Sequence, residues 1–146
     1  MTTGDLRKVT PRPQFQQRLM NQAGETIAGT TTILEISPSY AFTGAYDAAR
    51  HCIDAWLNHN GLRAKSGDGA HRVRVEYVRL AMTGLVTDED ITWYSRARTL
   101  RNQAEYPEPE KPNAVGAQEA RAMIELAKRF HKAVSVDLKQ ARGRGN

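Results

Sequence analysis

Apolar residues recur every three or four positions over much of the chain, the spacing of helices that bury one face. The clearest run follows Ser37: Phe42, Ala45, Ala49, Cys52 and Trp56, with Tyr46, Ile53 and Leu57 beside them. Ser37 suits a helix cap, Pro38 a first helical position, and Asn60-Gly61 a stop. A second helix is predicted over 70–82, with Val73, Tyr77, Leu80 and Ala81 inward, ended by Gly84. A third begins at Thr87, where Asp90 makes an acidic variant of the capping box and Asp88 and Glu89 suit the helix dipole. Its stripe is Trp93, Ala97, Leu100 and Ala104, and Pro107 stops it. The last, from about Asn113, carries a seam of Ala117, Ala120, Ile124, Ala127, His131, Val134 and Leu138. Before all of these, Phe15, Leu19, Met20, Ala23 and Ile27 also fit a helix. Gly24 and Gly29 interrupt that pattern, and the β-branched run 30–33 leaves strand open there.

No segment reads convincingly as strand. Residues 63–72 read as a polar loop and 107–112 as an extended, polyproline-like spacer. Amphipathic helices with mostly short connections predict an all-α, up-and-down helical bundle of four to five helices. Its expected limits are 14–140, between a disordered N-terminal arm, 1–13, and a basic disordered tail, 141–146.

Composition changes this picture little. The 146 residues suit one domain, and no run of 18 apolar residues marks a membrane span. The first residues lack the apolar stretch of a signal peptide, so a cytoplasmic location is expected. The lone cysteine, Cys52, excludes an intrachain disulfide and a cysteine-based zinc site, and reads as packing. No histidine pair or carboxylate cluster has metal-ligand spacing, so neither metal nor cofactor is expected. The net charge of +5 and pI near 9.6 favour acidic partners, nucleic acid among them, although part of that charge sits in the tails.

Candidate chemistry lies in "RTLRNQAEYPEPEKP", residues 98–112. At 100° per residue, Tyr94, Arg98, Arg101 and Glu105 form a polar stripe beside the apolar one. Arg101 and Glu105 are spaced for an ion pair, Asn102 follows the arginine, and Tyr106 closes the helix. Such a stripe is either a solvated face or part of a shared pocket at an interface, where a guanidinium meets phosphate or a carboxylate. Among the histidines, His131 reads as a hydrogen-bonded core or interface residue, and His71, near Asp68, as local structure.

"GAYDAARHCIDAWLNHNGLR", then "GAH" opening a helix, then "RARTLRNQAEYP" resembles the small bacterial HEPN superfamily over residues 40–108. The resemblance implies a helical bundle that dimerises with its arginine-bearing helices at the interface. Active members are metal-independent ribonucleases whose motif is Arg, often followed by Asn, Asp or His, and a His separated from that Arg by four to six residues. Histidine can exchange a proton near neutral pH, and Arg steadies the phosphate. Here Arg101 and Asn102 are present, but the histidine positions hold Tyr106, Pro107 and Glu108. Arg101, Asn102 and Tyr106 are thus the candidates for any surviving catalysis, and Tyr94, Arg98, Arg101, Asn102, Glu105 and Tyr106 those for a ligand or interface.

The resemblance therefore implies a homodimeric, non-catalytic or divergent module of a toxin–antitoxin or defence system. Its implied ligands are RNA or a nucleotide, and its implied partner a cognate nucleotidyltransferase or antitoxin. The alternatives are a metal-independent endoribonuclease with an altered motif and a structural adaptor bundle.

Overall fold

A computed structural model of the chain describes residues 6–67, 69–82, 84, 86–109 and 115–144, the last three as backbone alone. Five helices carry the fold: α1 (Pro13–Ile33), α2 (Pro38–His59), α3 (Ala70–Ala81), α4 (Asp88–Glu105) and α5 (Ala117–Arg144). The chain is an all-α bundle in its architecture.

Helix α2 is the central element, packed by α1, α4 and α5, while α3 lies against α4. Its start is as the sequence implies, with Pro38 in the first turn and the Ser37 hydroxyl accepting from the Tyr40 N–H at 3.4 Å. Gly61 ends it with φ +74, a conformation that a side chain would strain. Phe42, Ala45, Ala49, Cys52 and Ile53 are wholly buried in one continuous core with Met123, Leu126 and Phe130 of α5. Trp56 adds a polar tie, donating from Nε1 to Asp137 Oδ2 at 2.6 Å.

Residues 13–33 resolve as helix throughout. The β-branched run is accommodated because Thr30 and Thr31 both donate to the Ile27 carbonyl, satisfying their hydroxyls within the helix.

Several expectations need correction. Residues Leu6–Lys8 (β1) and Leu62–Ala64 (β2) form a two-stranded antiparallel sheet, with Arg7 opposite Arg63. The arm expected to be disordered is tied down further along as well. The Val9 N–H donates to the Gly61 carbonyl, and Asn58 Oδ1 accepts from the Arg12 N–H and Gln16 Nε2, each at 2.9 Å. Three-residue strands are too short to show a period in sequence, and their partner lies more than fifty residues away.

At the other end α5 continues to Arg144, so 141–144, expected within a disordered tail, have a helical backbone. It starts at Ala117 rather than near Asn113, and positions 110–114, including part of the expected spacer, lie outside the described residues. On α3, Leu80 and Ala81 are exposed, and Val75 and Val78 are buried with Val73 and Tyr77. Helix α3 covers the bundle with its N-terminal two-thirds and leaves its last turn in solvent.

Candidate functional site

Helix α2 is buried around most of its circumference and polar along one strip. Asp47, Arg50, His51 and Asp54 follow at helical spacing, and Asn58 ends the strip. Each partner on the neighbouring helices is set by this strip.

At its centre Arg74 of α3 grips Asp54 with two hydrogen bonds, 2.8 and 3.1 Å long. Burial works against the Arg74 charge, but the hydrogen bonds and charge of Asp54 outweigh it and hold its pKa above the ordinary arginine value.

Nearer the start of α2, Arg101 of α4 lies over the Tyr46 ring, 5.6 Å from its centroid. Its Nε is 3.3 Å from Asp47 Oδ1, an ion pair without hydrogen-bond alignment, and its other arm donates to Glu105 at 3.2 Å. The predicted Arg101–Glu105 pair therefore forms, and Asp47 joins it.

Between these pairs sits an aromatic stack. Tyr46 and Tyr94 lie face to face, 5.4 Å apart and 7° from parallel, and His71 packs on both. His71 Nε2 meets the Ser95 carbonyl at 3.1 Å, and a carbonyl can only accept, so the proton is on Nε2. Nδ1 is then free to accept from the Tyr46 hydroxyl at 2.8 Å. Burial lowers the His71 pKa, helped by Arg98 and Arg74 and opposed by the Ser95 carbonyl, so the ring is held neutral near pH 7. Burial also lowers His51, helped by Arg50 and opposed by Asp47 and Asp54; its Nδ1 is buried without a hydrogen-bond partner.

Both stacked tyrosines are poor acids here. Burial raises Tyr46, and it raises fully buried Tyr94 well above 10, with the Tyr46 hydroxyl adding to the effect. The Cys52 thiol is pushed up to about 12 by burial, which leaves it inert.

The sequence expectations thus divide. Arg98, Arg101 and Glu105 do come together on the α2 side of α4, Arg98 acting electrostatically on Tyr46 and His71. Tyr94 is not on a polar face; it is 1% exposed and part of the core, because α4 turns the boundary between its two stripes toward α2. Trp93, Leu100 and Ala104, expected at the centre of the apolar stripe, are only partly buried. Asn102 and Tyr106 point away to solvent, Tyr106 being 74% exposed. His71 is more than local structure, since it joins three helices; Asp68 lies outside the described residues. His131 donates to the Met20 carbonyl at 3.0 Å and ties α5 to α1.

Sequence reasoning missed Tyr46, Asp47, His51, Asp54 and Arg74 as site residues. For Asp47, His51 and Asp54 the signal was a charged strip at helical spacing on an otherwise apolar helix; Tyr46, and Arg74 on α3, lie outside that strip. Among the described residues no group of three or more His, Cys, Asp and Glu side chains is placed to hold a metal ion, and no helix is long and apolar enough to cross a membrane.

No protein-family model matches the chain, and no curated protein matches its sequence. Its fold has a solved counterpart. The chain is similar to TT1696 from Thermus thermophilus, as seen in that protein's crystal structure, with a TM-score of 0.65. The match covers 82% of this chain and 95% of TT1696 at 16% identity, a likeness of fold.

Proposed function

We propose that this chain is a HEPN-like module, working as a homodimer, that binds RNA, a nucleotide or a partner protein and does not cleave RNA through Arg101 and Asn102. The observation that carries the reading is the state of Arg101. Its guanidinium lies between Asp47 and Glu105 and over Tyr46, so its charge is already answered within the chain. A phosphate would have to compete with two carboxylates for it. Asn102 and Tyr106 stand apart on the solvent side and supply no proton shuttle beside it. Their exposure does suit contact with a second copy or a cognate nucleotidyltransferase or antitoxin of a toxin–antitoxin or defence system.

One observation favours the alternative, a metal-independent endoribonuclease with an altered motif. His51 lies one turn beyond Asp47, its pKa is lowered, and its Nδ1 is unpartnered, which suits a neutral general base.

Incubating purified protein with RNA separates the two. The non-catalytic reading expects the same background cleavage from wild type, Arg101→Ala and His51→Ala. Cleavage by wild type that both substitutions abolish establishes the alternative. Solution mass tests the dimer; a monomer that tolerates Arg101→Ala and Glu105→Ala without any loss of binding leaves a structural adaptor.

A further inference from the structure

A groove of about 970 Å³ opens between β1, the start of α1, the end of α2, β2 and α3. Ligand clefts run to roughly 300–1,000 Å³, so this one is large. Arg7, Lys8, Arg12, Arg18, Arg63 and Lys65 line it, all exposed. Arg74 and Asp54 form its inner end, already paired to each other. The first six cations have no carboxylate partner among the described residues. Seven cationic against one anionic side chain is an excess of six in a single groove, more than the +5 of the entire chain. Among the described residues the groove thus gathers a net excess of positive charge at one place.

Two further features point to what the groove takes. Arg7 and Arg63 are direct cross-strand partners. Like charges so placed weaken a sheet, and this sheet has only three residue pairs. An anion between them turns the repulsion into two attractions. Phe15, half-buried in the same groove, has the Arg18 guanidinium 5.8 Å from its ring centroid. An aromatic face with a cation beside it is a platform on which an unpaired base stacks.

We propose that the groove binds a single strand of nucleic acid, its phosphates on Arg7, Lys8, Arg12, Arg63 and Lys65 and a base on Phe15. A duplex keeps its bases stacked on each other and cannot use Phe15. A flat bilayer cannot enter a concave groove to reach its inner end. The Asp54–Arg74 pair belongs also to the polar strip of α2. Asn58 and Asp47 are eleven positions apart, about 16 Å along the helix. The groove and the Arg101 pair are thus separate places along α2. The inference does not depend on the Arg101 reading, and separate substitutions test the two.

The test is fluorescence anisotropy with a labelled single-stranded RNA of about 12 nucleotides, repeated with the matching duplex and at rising salt. Wild type is expected to bind the single strand more tightly than the duplex, with log affinity falling against log salt at a slope of about −3 to −4 for five phosphate contacts. Arg63→Glu with Lys65→Glu is expected to weaken binding at least about tenfold and to flatten the slope by about one. Arg18→Glu, on the exposed face of a helix, provides a second loss without touching the sheet. Lys132→Glu with Lys139→Glu on α5, outside the groove, is the control and is expected to change affinity by less than about threefold. The proposal is overturned if wild type fails to bind at about 50 mM salt, if the control weakens binding as much as the groove variants, or if duplex binds as well as single strand. It is equally overturned if the groove substitutions abolish binding to phosphatidylserine vesicles while RNA binding is unchanged.

Discussion

Two tyrosines stacked on one another, Tyr46 and Tyr94, differ in what their hydroxyls meet. The Tyr46 hydroxyl donates to His71, whereas the Tyr94 hydroxyl is buried without a hydrogen-bond partner. Tyr46→Phe leaves His71 Nδ1 unanswered and is expected to lower stability by about 1–2 kcal/mol. Tyr94→Phe removes an unsatisfied group and is expected to raise it by about 1 kcal/mol. Urea denaturation of the two variants checks the opposite signs. The same method reads the histidines. His51 and His71 both have folded pKa values below 6.5, so on acidification the unfolded chain takes up their protons first. Their contribution is whole above about pH 6.5, drains away as pH falls through that value, and levels off below the folded pKa. Stability measured from pH 8 to 5.5 is expected to decline from that point, and a profile flat to pH 5.5 rejects this account.

At the scale of elements, the geometry turns on how α1 and α4 seat against α2. A methyl group at Gly44 would lie 2.7 Å from Thr30 Cγ2, so the glycine permits the close approach of α1 to α2. Alanine suits a helix better than glycine by about 1 kcal/mol, but Thr30 is held by its bond to the Ile27 carbonyl and cannot easily yield. Gly44→Ala is therefore expected to lower the melting temperature. Gly44→Ala with Thr30→Ser, which removes the obstructing methyl, is expected to restore it or exceed wild type. Additive effects of the two substitutions would contradict the contact. On the other side, Arg129 of α5 clasps Asp90 of α4 with three contacts of 2.8 to 3.2 Å. Asp90 also receives its cap from Thr87, at 3.1 Å. The residue read as half of a capping box thus orients the whole helix and helps set which stripe meets α2.

At the scale of the molecule, the charge that a sequence reports as one number is resolved into a groove and a neutralised strip. Around Asp47 and Asp54, Arg50, Arg74 and Arg101 are matched by carboxylates; around β1 and β2 the cations are not, among the described residues. Accumulating them has a cost in the free protein. Arg7→Glu converts the cross-strand pair from repulsive to attractive and is expected to stabilise the fold by about 0.5–1 kcal/mol at low salt. The gain should shrink as salt screens the pair. Thermal melts at two ionic strengths check both statements.

The helices and most of the core were legible in the sequence because they depend on local order: the period of apolar residues, Pro38 and Ser37 at one end of α2, Gly61 at the other. The Arg101–Glu105 pair was legible for the same reason, lying one helical turn apart. Tyr94 was misplaced because a tyrosine suits either stripe of α4, and only packing against Tyr46 and Phe130 decides between them. The short sheet and the basic groove unite residues 7–18 with 63–65, and His71 joins residues 46 and 95; no local period carries such information. By itself the sequence determined most of the helical segments and, for α2 and α5, which face each must bury, since burial of apolar surface acts on every turn alike. Tertiary structure alone decided which polar groups meet, since hydrogen bonds and ion pairs form only over a few ångströms that the packing of distant segments must first create.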